Sequence, residues 1–281
     1  MVQTAVGVKC PECAGQPVGA ARLRPRAVSR GTHYVTMALI ALNAFFFVLE
    51  IVTDRGTVGR GLGGDISSRG WLLAAPVADG DWWRIVTSGF LHAGLAHLAF
   101  NMIALWYLGT AFEEFIGPLR FSLIYLSAVV WGSAGALLFA PNSPTVGASG
   151  GVFGLMAAIL VLERQRGVTI VSGAGIWLGI NLVITFTLPG ISIGGHLGGI
   201  VGGALAALAV SNFGRGHMAS RRMQPAALVG VLAVLAVGVF GSLAIANAKA
   251  PDRQFGAVHS VQAVARPAEK LIQAARRSED I

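Results

Sequence analysis

Charge is what this chain has least of. Asp, Glu, Lys and Arg make up 12% of its 281 residues, against roughly 25% in an average soluble domain. With 54% hydrophobic residues beside that scarcity, the composition points to a membrane protein rather than a soluble enzyme. Cysteine is almost absent too. Cys10 and Cys13 are the only two, and both precede the first apolar stretch, so disulfides contribute nothing to the membrane core. Residues 1–31 carry no apolar run of signal-peptide type, so cleavage by a signal peptidase is not expected. No Lys/Arg run is interleaved with aromatics, so the net charge of +8 gives no reason to expect a nucleic-acid partner. Acidic side chains are missing where an enzyme would use them: between Pro141 and Asn212 the only one is Glu163.

Glycine, with 38 residues, and apolar runs fill the space left. A spanning helix needs about 20 apolar residues. Seven stretches reach or approach that length: 35–52, 95–115, 121–140, 150–162, 168–188, 193–210 and 226–248. The expected fold is therefore all-α, a polytopic membrane helix bundle. The long connection from Thr53 to Gly94 holds Trp71, Trp82 and Trp83, three of the six tryptophans, and reads as an interfacial loop. Lys9, Arg22, Arg24, Arg26 and Arg30 fall on the same side as Arg120, Arg164, Arg166, Arg215, Arg221 and Arg222. Loops 141–148 and 189–192 on the other side have no Lys or Arg. By the positive-inside rule the N-terminus is expected in the cytoplasm and the C-terminus outside the plasma membrane.

Gly147-Ala148-Ser149-Gly150 places a serine between small residues at a helix start, where the helix dipole favours a developing oxyanion. Serine in a Gly-rich membrane helix is also ordinary packing glue. His196, in Gly194-Gly195-His196-Leu197-Gly198-Gly199, is an ionisable residue inside a span, a feature that marks either function or a satisfied packing histidine. The i, i+4 glycines Gly150 and Gly154, matched by Gly195, Gly199 and Gly203, let two helices approach closely enough to pair Ser149 with His196. Glu163 lies 14 positions past Ser149, roughly 21 Å along a helix. A Ser–His dyad without a carboxylate is the expectation, its imidazole positioned by packing, with Phe153 the candidate ring for stacking. His92, His97 and Asn101 form a third cluster. His97 and Asn101 share a helix face, and their N–H groups together with the Ser149 backbone N–H suit an oxyanion. A zinc site on the three histidines is the competing reading; no H-E-x-x-H supports it.

Asp81-Trp82-Trp83-Arg84, then His92…His97…Asn101, then Gly147-Ala148-Ser149-Gly150, then His196-x-x-Gly199-x-x-x-Gly203 occur in this order. Over about residues 35–210 the chain resembles the rhomboid family of intramembrane serine proteases. The resemblance implies a six-helix core, a Ser149–His196 dyad, oxyanion donors His97 and Asn101, active-site packing by Gly147, Phe153, Gly199 and Gly203, and structural roles for Trp83, Arg84 and Glu113. Some relatives have Tyr where this chain has Phe153. The implied function is endopeptidase cleavage of single-span membrane proteins in the bilayer, with no cofactor. The rival from another class is an inactive client-binding relative, and a polytopic transporter is a third.

The expected domains are a cytoplasmic segment at 1–31 with its C-x-x-C, the six-helix core at 32–212, a linker and seventh transmembrane helix at 213–248, and an extracytoplasmic tail at 249–281. Cys10-Pro11-Glu12-Cys13 supplies half a zinc site and resembles the last pair of a cysteine-rich finger that precedes the membrane domain in some bacterial rhomboids. An incomplete finger, zinc shared between two chains and no metal all stand as readings. Trp177 and Phe186 on the fifth stretch are expected to flank lateral entry of a substrate helix.

Overall fold

The computed structural model describes residues 2–4, 7–9, 33–53, 64–212 and 223–250. Two compact units divide the chain, 1–32 and 33–281. In the first, β1 (Val2–Thr4) and β2 (Gly7–Lys9) pair antiparallel, with Val2 opposite Lys9. This hairpin has no counterpart in the sequence reading. Cys10 and Cys13 lie outside the described residues, as does the tail after 250.

The second unit is helical. Its long helices are α1 (Tyr34–Thr53), α5 (Leu95–Ile116), α6 (Pro118–Phe139), α7 (Ser149–Arg166), α8 (Ala174–Thr187), α9 (Ile193–Asn212) and α10 (Pro225–Lys249). Five of them, α1, α5, α6, α9 and α10, are long and apolar enough to cross a membrane. The other two fall short for separate reasons. Glu163, Arg164 and Arg166 crowd the end of α7. The 14 residues of α8 reach only about 21 Å.

The α8 start lies at Ala174 rather than near Val168. The Glu163 carboxylate accepts hydrogen bonds from the Ile170 and Val171 backbone N–H groups at 2.7 and 3.0 Å, which holds that stretch as a loop. One residue, Gly117, both ends α5 and precedes α6. Its φ of 85° makes a tight corner, and Pro118 starts α6 where no intrahelical N–H is needed.

The centre is built from α6, α7 and α9. A methyl group at Gly199 would overlap the Gly150 carbonyl, one at Gly203 the Gly154 carbonyl, and one at Gly135 the Gly194 carbonyl. Only glycine permits backbones this close. Below this contact lies an apolar cluster containing Leu105, Phe112, Phe121, Tyr125, Leu155, Met156 and Ile159. The seventh long helix, α10, packs on α6 and α9 and is fastened to α6 by the Trp131 indole, which donates to the Val234 carbonyl at 2.9 Å.

From residue 64 onward, the connection between α1 and α5 is structured. It contains α2 (Asp65–Gly70), α3 (Ala74–Ala78), α4 (Arg84–Thr87) and a 3-10 turn (Ser88–Phe90). Trp82 and Trp83 are exposed on it, which fits interfacial aromatic rings.

Candidate active site

Four helices present their ends to one face of the bundle. Ser149 opens α7, His196 lies in the first turn of α9, His97 lies in the first turn of α5, and the last turn of α8 arrives beside them. The glycine contact between α7 and α9 sets the spacing of the first two. His196 Nε2 stands 2.8 Å from Ser149 Oγ. The Phe153 ring, one turn after the serine, stacks on the imidazole with centroids 4.0 Å apart and planes 17° apart. Residue 153 therefore contacts the imidazole through its ring, for which no hydroxyl is required. His196 itself is buried.

Packing alone does not hold the imidazole. Thr185 Oγ1, on α8, lies 2.7 Å from His196 Nδ1 and donates to the Asn181 carbonyl at 2.7 Å. Nothing in the sequence marks Thr185. It sits in an apolar helix 11 positions before the histidine, across a loop, and no helical or strand period links the two.

Gly147 adopts φ 127°, a conformation that disfavours any side chain. A Cβ there would also meet the His97 ring at 2.7 Å, and it would lie 3.7 Å from Ser149 Oγ. The histidine edge, Gly147 and the serine are thus brought together. His92 packs edge-to-face on His97 at 5.1 Å between centroids. Asn101, one turn on, is buried and donates from Nδ2 to the His97 carbonyl at 3.0 Å, which commits one of its two amide protons. Ala148, the N-cap of α7, offers no side-chain hydrogen bond to the helix start. Among the described residues no group of three or more His, Cys, Asp or Glu is placed to hold a metal ion.

The remaining motif residues act at a distance. Arg84 pairs with Asp81 at 2.8 Å and donates to the Ser68 and Trp71 carbonyls. The Trp83 indole donates to the Arg69 carbonyl at 3.3 Å. The loop so organised exchanges two backbone hydrogen bonds between Leu72 and Thr145, and Gly147 N–H donates to the Ser88 carbonyl. Trp83 and Arg84 therefore shape the surface on which residues 145–147 enter α7. Glu113, fully buried, accepts from the Val35 N–H, the Thr36 N–H and the Thr36 hydroxyl, which caps α1. Its counterpart at the other end of α1, Glu50, escaped the sequence reading. It accepts from the Ser67 hydroxyl at 2.8 Å and the His92 N–H at 3.2 Å. A carboxylate in the last turn of an apolar helix was the available signal. Trp177 occupies the first turn of α8, opposite the end that reaches His196, where it tilts against Tyr107 of α5. Phe186 is 59% exposed.

A polytopic helical bundle with a close, half-buried Ser–His pair at the start of a helix is a definite class of membrane protein. Residues 79–213 match the Rhomboid domain family. The chain is 39% identical over 166 residues to Rhomboid protease GluP of Bacillus subtilis (strain 168), covering 58% of this chain and 32% of that protein. It is 34% identical over 134 residues to Putative rhomboid protease YdcA of the same organism, covering 46% of this chain and 67% of the relative. A shorter match, 42% over 78 residues, is to Inactive RHOMBOID-like protein 8 of Arabidopsis thaliana, covering 28% and 22%. This chain belongs to the rhomboid family of multi-pass membrane proteins. It spans about a third of the length of the GluP relative.

Proposed function

We propose that the protein is an intramembrane serine endopeptidase in which Ser149 is the nucleophile and His196 the general base. The observation that carries this reading is the 2.8 Å contact between Ser149 Oγ and His196 Nε2 at an uncapped helix start. A serine hydroxyl is a weak nucleophile until an adjacent base accepts its proton. As Oγ adds to a substrate carbonyl, the proton passes to Nε2 and a tetrahedral oxyanion forms. The Ser149 N–H, the His97 imidazole N–H and the uncommitted Asn101 amide proton supply donors for it. The imidazolium then protonates the leaving amine, and an acyl-enzyme remains. Water attacks that ester with His196 again as base, releasing the second product and restoring the serine.

The substrates we propose are single-span membrane proteins. A helix hides its carbonyls in internal hydrogen bonds, so residues of low helix propensity near the scissile bond favour local unwinding. The proposed topology places the α7 start, and with it the site, toward the extracytoplasmic side of the plasma membrane. Both the Arg-rich end of α7 and the N-terminus then face the cytoplasm. The relative named inactive gives the second reading, a client-binding protein that does not cut.

The test is incubation of the purified protein, and of Ser149→Ala, with a panel of single-span substrates in bilayers. Cleavage by the first and none by the second supports the protease reading. Stable substrate capture without cleavage by either supports the second.

A further inference from the structure

We infer that Thr185 is a positioning residue for His196, fixing the imidazole tautomer that the Ser149 proton transfer requires. The inference rests on the protease reading and adds a third member to the dyad, one that carries no charge.

The protons available at Thr185 and His196 decide which ring nitrogen carries a hydrogen. A threonine hydroxyl has one proton and two lone pairs. Thr185 Oγ1 lies 2.7 Å from the Asn181 carbonyl and 2.7 Å from His196 Nδ1, and the residue is 2% exposed. The Asn181 carbonyl only accepts. The bond from a threonine to the carbonyl four residues back is the usual one for this side chain inside an apolar helix, and it uses the single proton. Oγ1 then meets Nδ1 with a lone pair, so Nδ1 must carry the hydrogen. A neutral imidazole has one N–H. Nε2 is therefore bare, and it is Nε2 that faces Ser149 Oγ at 2.8 Å. The opposite arrangement would put the hydrogen on Nε2, and the serine proton would have no acceptor.

The same bond acts later in the reaction. Once Nε2 takes the serine proton, both ring nitrogens donate and the ring is positive. The hydroxyl oxygen, already polarised by the Asn181 carbonyl, then presents its negative end to the cation, and a hydrogen bond to a charged partner is stronger than a neutral one. Phe153 cannot do this. Its ring fixes the plane of the imidazole but is indifferent to which nitrogen carries the proton. In the soluble triads a buried carboxylate holds the tautomer; here a helix carbonyl and a hydroxyl do so in series.

Two measurements test the assignment. The first needs neither a variant of Thr185 nor activity. In protein labelled with ¹⁵N-histidine, the His196 signals, identified by their loss in His196→Ala, should show a directly bonded proton on Nδ1 and none on Nε2 near neutral pH. A neutral His196 protonated on Nε2 overturns the inference. The second is kinetic. Thr185→Val keeps the shape and removes the hydroxyl. It should lower kcat by about ten- to a hundredfold with KM within about twofold, and Thr185→Ser should recover most of the loss. Wild-type kcat in Thr185→Val, or a Thr185→Ser variant as impaired as Thr185→Val at unchanged melting temperature, overturns it. If the wild-type protein cleaves no substrate, the protease reading fails while the tautomer result still stands on its own.

Discussion

The centre of the bundle and its periphery are held by different means. Where α6, α7 and α9 meet, glycines bring backbone against backbone, and little polar chemistry is involved. At the edges, buried or half-buried polar side chains act as pins. Glu113 caps the start of α1 and Glu50 ties its end to the loop, Glu163 holds the turn before α8, and Thr185 brings α8 to His196. Where Gly199 meets Gly150 and Gly203 meets Gly154 there are no side chains to rearrange, so direct backbone contact sets the spacing of Ser149 and His196. The pins fix orientation instead, at helix ends that packing leaves free. Lipid offers no hydrophobic drive between helices, and this division of labour compensates.

Three substitutions probe the contrast, one at the site, one at the centre and one at a pin. Asn101→Ala removes one proposed oxyanion donor from a periphery helix while leaving the centre intact. It should reduce kcat by about 10²–10³ with little change in KM, the size seen for one such donor in a soluble protease. A raised KM at constant kcat, read from steady-state cleavage, would move Asn101 to substrate binding. Gly199→Ala attacks the centre. Its methyl group meets the Gly150 carbonyl, next to the nucleophile, so α7 and α9 must separate. We expect loss of cleavage together with a lowered melting temperature, at about 1–3 kcal/mol for overpacking. Its control is Gly179→Ala on α8, where an added methyl meets nothing within 4 Å and melting should not fall. Equal effects at the two glycines would erase the distinction between centre and edge. Glu113→Ala removes a pin. Three donors at the α1 start lose their acceptor, and each buried donor left unpaired costs about 1–3 kcal/mol. Thermal melting should fall while the Ser149 environment, and so kcat per folded molecule, stays near wild type.

The centre was legible in the sequence and the pins only partly so. The i, i+4 glycines on two apolar runs carry their spacing in the chain itself, and they lead directly to the close approach of α7 and α9. The Phe153 stack follows from one helical turn after Ser149. Glu113 was noticed through family resemblance, but its task, capping a helix 77 positions away from it, is a tertiary fact. Thr185 carries no such signal. A threonine in an apolar helix reads as ordinary packing, and its pairing with Nδ1 depends on how a short loop returns α9 beside α8. The place of Trp177 along α8 is hidden for a related reason. With the helix taken to begin at 168, Trp177 falls mid-span; with the start at Ala174 it lies at the far end. Loop 170–173 is set by the Glu163 carboxylate, which local pattern does not reveal.

The central claim is that Ser149 is a nucleophile activated by His196. Reaction of the purified membrane protein with a fluorophosphonate, followed by peptide mapping, tests it without knowledge of any natural substrate. The account predicts covalent modification at Ser149 alone among the serines, lost in His196→Ala at unchanged melting temperature. Labelling at another serine, or undiminished labelling of Ser149 in folded His196→Ala, would contradict it.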